Sequence, residues 1–242
     1  MLFNSIDEIR KRVDWHRMPS DPMYSGNDDH YAGVGESALK VIAASHLIAS
    51  KGEPGSVLDF ACATGRVTRW LRAAFPQADL HVSDINPDWL TWSADRFNAS
   101  GWISGDDLAA VDAPRTFDLI WCGSLVTHVS EREATLLIRK FHDWLTPSGI
   151  AVVTTHGSRF IHNLVAGTHK YFSNEESTSM VLSELALKGY GYVAHPGQTH
   201  GISVNTVEWL VRTVHQLDAR IISVSETAWD NHQDVVAFQK LA

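Results

Sequence analysis

The segment VLDFACATG places an acid, Asp59, just ahead of a turn whose alternate positions are Ala61, Ala63 and Gly65. Small residues at that spacing let a ligand approach the backbone and meet the amino end of the next helix. About twenty residues beyond the turn, DLHVSD ends at Asp84, ahead of Ile85 and the Asn86-Pro87 pair. A carboxylate at the end of a second strand accepts hydrogen bonds from both hydroxyls of a ribose and repels a 2′-phosphate. Asp84 is also placed to cap the helix that follows. Two imidazoles add proton chemistry: His128 follows FDLIWC, and His156 ends IAVVTTH. Histidine suits proton transfer near neutral pH, so these two are the candidate general bases. His162, His169, His195, His200 and His232 are scattered without the tight spacing of a zinc site, and no metal is expected.

For these residues to meet, the chain must alternate strands and helices. Leu39, Ile42, Ala43, Leu47 and Ile48 fall near helical spacing, which predicts a helix from Ser37 to about Ser50, stopped by Gly52 and Pro54. After it come a strand in SVLDFA, a helix over about Arg66 to Phe75, a strand in DLHVSD and a helix from Pro87 toward Phe97. A weak strand around Trp102 to Ser104, a strong one in FDLIWC, a helix over about Glu131 to Leu145 and a strand in IAVVTTH follow. Such alternation demands an α/β fold with a parallel sheet and helices on both faces. The end breaks the rhythm: after helix TVEWLVRTVHQL, ARIISVSE and DVVAFQK are joined by the short AWDNHQ and must be antiparallel neighbours.

Residues 1–35, broken by Pro19, Pro22, Gly26, Gly33 and Gly35, read as a lead-in and candidate lid, and 36–242 as the main domain. Residues 157–205 exceed what that core needs and read as a substrate-side insertion after the fifth strand. It is expected to hold a helix over about Glu175 to Leu187 and a small hairpin around Pro196-Gly197.

With 242 residues, 44% of them hydrophobic, the chain can bury one large core without disulfides. Its two cysteines, Cys62 and Cys122, suit small buried roles in a reducing compartment. No apolar run approaches the ~20 residues that cross a bilayer, and MLFNSIDEIRKR is charged where a secretory signal is apolar, so a cytoplasmic location without membrane contact is expected. A net charge of −8 offers no general field for phosphate backbones, and nucleic acid is not an expected partner.

The first turn resembles the opening motif of the class I S-adenosylmethionine-dependent methyltransferases: an apolar run, an acid, then a glycine-rich turn. Asp59 matches the acid, and Ala61, Ala63 and Gly65 match the glycine positions, so two glycines are replaced by alanine. Alanine disfavours positive φ, and the turn is expected to keep ordinary backbone angles. The resemblance covers residues 36–156 motif by motif and extends to the carboxyl end through the closing helix-strand-strand pattern. It implies a Rossmann-like seven-stranded sheet of order 3-2-1-4-5-7-6 with the last strand antiparallel. It also implies S-adenosylmethionine as cofactor, with Asp84 and Ile85 at the ribose and Asp106 or Asp107 at the adenine amino group. Leu108 would hold the ring, and Cys122 would line the site.

WCGSLVTH, after the fourth strand, lacks the Asn/Asp-Pro-Pro-aromatic segment of family members that methylate nucleic-acid amines or glutamine. The expected acceptor is therefore a small molecule, with a hydroxyl favoured and a saccharide or glycosylated metabolite ahead of a phenol. Tyr31 from the lead-in and Arg159, Tyr171 and His200 from the insertion are the candidate acceptor contacts, since aromatic faces stack on sugars and cations hold phosphate. A homodimer is a further expectation. Two other readings of the same fold stay open: a non-catalytic binding protein, and a nicotinamide oxidoreductase, which needs closer backbone approach at its pyrophosphate than the two alanines readily allow.

Overall fold

The computed structural model describes residues 5–172 and 174–242, so residues 1–4 of the lead-in lie outside the described part. The elements in chain order are α1 (Ile6–Arg10), α2 (Asp28–Ile48), β1 (Ser56–Phe60), α3 (Thr68–Ala74), β2 (Asp79–Asp84), α4 (Pro87–Arg96) and β3 (Ser100–Ile103). Next come β4 (Phe117–Cys122), a 3-10 turn over Leu125–His128, α5 (Glu131–Trp144), β5 (Leu145–Thr155) and α6 (Ser158–Ala166). The chain closes with α7 (Glu175–Lys188), β6 (Tyr190–Ala194), β7 (Gly201–Asn205), α8 (Val207–His215), β8 (Ala219–Trp229) and β9 (Gln233–Lys240).

The seven-stranded sheet has the order β3-β2-β1-β4-β5-β9-β8. The pairs from β3 through β5 are parallel, while β9 runs antiparallel to both its neighbours, as expected. β6 and β7 form a separate antiparallel hairpin within the insertion. Side-chain alternation splits each central strand between two cores. Val57, Leu119 and Val152 face one, packed with Leu39 and Ile42 of α2 and Trp70 of α3. Leu58, Ile120 and Val153 face the other, with Leu137 and Phe141 of α5 and Leu210 of α8.

Two boundaries differ from the sequence reading. α2 begins at Asp28, where the Asn27 side chain caps the His30 N–H, and it runs straight through Gly33 and Gly35. Gly35 is not a breaker. A Cβ there would lie 2.3 Å from Trp70 Cδ1, so its absence lets α2 close onto α3. Second, the insertion opens with α6, which periodicity did not single out and which ends at Gly167 with φ +64°. Among the described residues no helix is long and apolar enough to cross a membrane.

Candidate functional site

Because β1, β2 and β3 are parallel neighbours, their carboxyl ends lie along one edge of the sheet. Asp59 is buried beneath it, and the Thr68 hydroxyl donates to its carboxylate at 2.5 Å. Burial pushes its pKa up to about 7, against the Thr68 hydrogen bond and with the help of the Asp84 charge. Asp84 reaches back to the first turn: its Oδ2 accepts the Ala63 N–H at 2.7 Å and its Oδ1 the Asn86 N–H at 2.9 Å. Burial raises its pKa, and these backbone donors oppose the rise. Ser93 Oγ donates to the Ala63 carbonyl at 2.8 Å, and the Cys62 N–H donates to the Ser83 carbonyl at 3.0 Å, so the turn is held from several sides.

The backbone of that turn overturns one expectation. Ala61 has φ +63°, Ala63 φ +47° and Gly65 φ +82°, so the alanines keep the left-handed shape that glycine would adopt freely. Each non-glycine residue held there costs about 1–2 kcal/mol, which the surrounding hydrogen bonds must offset. At Gly65 no such substitution fits, since a Cβ would lie 2.2 Å from Phe97 Cε2. Beyond the turn, Ile85 and Ile103 stand half-exposed at the ends of β2 and β3. Asp106 and Asp107 are exposed in the following loop, where Asp107 also accepts the Ala109 N–H at 3.0 Å. Leu108 is half-buried beside them against the second core. Cys122 is fully buried in that core, which leaves none of its atoms exposed for a ligand.

The neighbouring half of the edge carries the imidazoles. His128 closes the 3-10 turn after β4, and its Nδ1 lies 3.0 Å from the Gly201 carbonyl. His156 follows β5, and its Nδ1 lies 3.0 Å from the Ser203 carbonyl. A carbonyl only accepts, so both rings carry their proton on Nδ1 and present a bare Nε2. Burial lowers both pKa values, that of His156 to about 3, so both rings are neutral at pH 7. The two carbonyls belong to β7, two residues apart on one strand. β7 is fixed to the sheet by the Ser203 hydroxyl donating to Val126 O at 2.6 Å and by the Asn205 N–H donating to His156 O at 2.9 Å.

A buried polar ring lies alongside. The Ser124 N–H donates to Thr154 Oγ1 (2.7 Å), Thr154 donates to Gln233 Oε1 (2.6 Å), and Gln233 Nε2 donates to Ser124 Oγ (2.9 Å). It holds Ser124 at φ +67°, directly after β4 and Gly123. Sequence reasoning missed Ser124, Thr154 and Gln233, because nothing local marks partners that far apart. Of the candidate acceptor contacts, Tyr171 stacks on Phe160 at 3.8 Å between ring centroids, with His156 at 6.5 Å, and His200 lies 6.3 Å from His128. Arg159 is exposed on α6. Tyr31 is not brought to this group: it is buried in α2, where its hydroxyl donates to Asp21 at 2.6 Å and accepts from Arg69 at 3.2 Å.

A parallel sheet closed by one antiparallel strand, with acids at the ends of its first two strands and a tight small-residue turn between them, is a Rossmann-like fold of the methyltransferase type. Comparison with known proteins carries the assignment further. Residues 57–149 match the methyltransferase domain family. The curated malonyl-acyl-carrier-protein O-methyltransferase of Halalkalibacterium halodurans is 24% identical over 196 residues, 78% of this chain. This chain spans 65% of that relative's length. Among solved structures, the sugar N-methyltransferase KedS8 of Streptoalloteichus superposes with a TM-score of 0.62 at 16% identity, covering 95% of each chain. NodS, an N-methyltransferase of Bradyrhizobium japonicum in complex with S-adenosylhomocysteine, superposes at 0.54 with 14% identity over 98% of each chain. Residues 57–149 thus carry the match to a methyltransferase domain, and the fold of the whole chain is that of S-adenosylmethionine-dependent methyltransferases.

The residues present fit that family's cofactor. Carboxylates at Asp84 and in the 106–107 loop retain lone pairs for hydroxyl and amino donors, and the half-exposed Ile85 and Ile103 offer apolar contact for a flat base.

Proposed function

We propose that the chain transfers a methyl group from S-adenosylmethionine to a small molecule, at a hydroxyl oxygen, with His128 as general base. When bound, the cofactor supplies an electrophilic methyl group on a sulfonium. Asp84 would hold the ribose with Ile85 beside it, and Asp106 or Asp107 the adenine amino group against Leu108. Asp59, Ala61, Ala63 and Gly65 would shape the turn beneath. The observation that carries the reading is the fixed tautomer of both imidazoles, whose Nε2 lone pairs stand at the carboxyl ends of adjacent strands. His128 Nε2 would take the proton of an acceptor hydroxyl to which the bound cofactor supplies the methyl group. Positioning and water exclusion supply most of the remaining acceleration.

His156, with a pKa near 3, is too weak a base for that step and serves as a hydrogen-bond acceptor that orients the substrate. Residues 157–205 act as the acceptor-side platform, through Tyr171, Arg159 and His200, and favour a saccharide or glycosylated acceptor. The lead-in, 1–35, serves as a lid. The weak basicity of His156 also supports a second reading, an amine acceptor, which attacks in its neutral form and needs only an orienting acceptor. The names of KedS8 and NodS favour the same alternative.

Calorimetric titration with S-adenosylhomocysteine, then incubation with S-adenosylmethionine and paired hydroxyl and amino saccharides read by mass spectrometry, tests both readings. Binding with methylation of the hydroxyl member is expected. Methylation of the amino member alone moves the assignment to nitrogen, and absence of nucleoside binding overturns the function.

A further inference from the structure

Arg66, Arg69 and Arg72 follow the first turn at intervals of three, and the fold treats them differently. Arg69 is fully buried and spends its donors on the carbonyls of Gly65, Asp14 and His16 and on the Tyr31 hydroxyl. Arg72 is likewise taken up, by the carbonyls of Phe97, Pro76, Ala78 and Asn98. Arg66 is half-buried but makes a single long hydrogen bond, 3.4 Å to the Met23 carbonyl, and its guanidinium carbon lies 5.9 Å from the Trp229 ring centroid. No ion pair reaches it among the described residues. The acids that attract it, Asp230 and Asp21, are engaged elsewhere, Asp230 with His30 and Asp21 with the Tyr31 hydroxyl and the Met23 N–H. A guanidinium carries five donors, and none of the Arg66 nitrogens is both buried and unpartnered, so its spare donors reach solvent and are available to a ligand.

The surrounding charge says which ligand. The cofactor edge is lined by acids, Asp84 within and Asp106 and Asp107 at its rim, so it disfavours an anion that no cation holds. Arg66 adjoins Gly65, the last residue of the turn that Asp84 grips through the Ala63 N–H. S-adenosylmethionine bears one carboxylate, on the amino-acid end that extends from its ribose. We infer that Arg66 is the clamp for that carboxylate, an assignment that rests on the cofactor reading above and adds a residue to it. The planar fork matches a carboxylate with two parallel hydrogen bonds, which a lysine ammonium cannot reproduce.

The test pairs two ligands that differ only at that end: S-adenosylhomocysteine, with the amino acid, and 5′-methylthioadenosine, with the same nucleoside and sulfur but no carboxylate. Arg66→Gln is expected to weaken S-adenosylhomocysteine binding by about tenfold to a hundredfold in calorimetry. It should leave 5′-methylthioadenosine within about twofold of the wild-type affinity, which also certifies that the variant is folded. Arg66→Lys is expected to restore only part of the loss. Unchanged S-adenosylhomocysteine affinity in Arg66→Gln overturns the clamp, as does an equal loss for both ligands, which marks a structural role. If the wild-type chain binds neither nucleoside, the cofactor reading itself fails and the clamp with it.

Discussion

On the β1–β2–β3 side of the sheet edge, the bonds that shape the site join near neighbours in sequence: Thr68 to Asp59 across nine residues and Ala63 to Asp84 across 21. On the β4–β5 side they join distant ones, His156 to Ser203 across 47, His128 to Gly201 across 73, and Gln233 to Ser124 across 109. The first half is acidic and built by a strand, a turn and a helix in succession. The second is neutral and aromatic, and it exists only once the insertion and the last hairpin have docked. A cofactor common to many enzymes can be held by a contiguous motif, while an acceptor particular to one enzyme calls for surfaces added from outside the core.

The largest effect that would sharpen this contrast lies in the imidazole half. His128→Ala should lower kcat by about 10²–10⁴-fold while S-adenosylhomocysteine affinity stays within about twofold, measured by steady-state kinetics and calorimetry. A matching loss of cofactor affinity would break the separation of the two halves. In the turn, Gly65→Ala places a methyl group against Phe97 at φ +82° and should cost about 3 kcal/mol in denaturant unfolding, through strain and overpacking together.

The two halves should also respond oppositely to pH. Asp59, raised from 3.8 to about 7 in the folded protein, contributes stability at low pH that is lost as pH rises through about 7. His156, lowered from 6.5 to about 3, contributes stability above 6.5 that is lost as pH falls toward 3. Each slope is at most about 1.4 kcal/mol per pH unit, and between roughly pH 4 and 6.5 they oppose one another. Relative to wild type over that window, Asp59→Asn should make stability climb more steeply with pH, and His156→Phe should make it fall. Parallel curves for both variants would show that neither group titrates as its burial requires. The smallest expected change is a gain: Ala63→Gly relieves a left-handed alanine and should stabilise by about 0.5–1 kcal/mol.

Strands DLHVSD and FDLIWC fall in the structure at their sequence-predicted limits, because each is an apolar run closed by turn or cap residues. The start of α2 was hidden by Gly33 and Gly35, whose small size serves packing against Trp70 rather than a turn. The turn at Ala61 and Ala63 was found by its spacing but misjudged in its angles, since propensity speaks for an isolated alanine and not for one bonded to Asp84. Arg66 could not be told from Arg69 and Arg72 by type or spacing, and only the carbonyls that meet the other two set it apart.

Local pattern alone determined the alternation of strands and helices in the core, the antiparallel close of the sheet and the row of acids at its edge, because periodicity and turn chemistry act over a few residues. Tertiary structure decided which nitrogen of each histidine is bare, which arginine has donors to spare and which tyrosine is buried. Those properties depend on partners tens of residues away, whose approach is set by how the insertion and the final hairpin pack against the core.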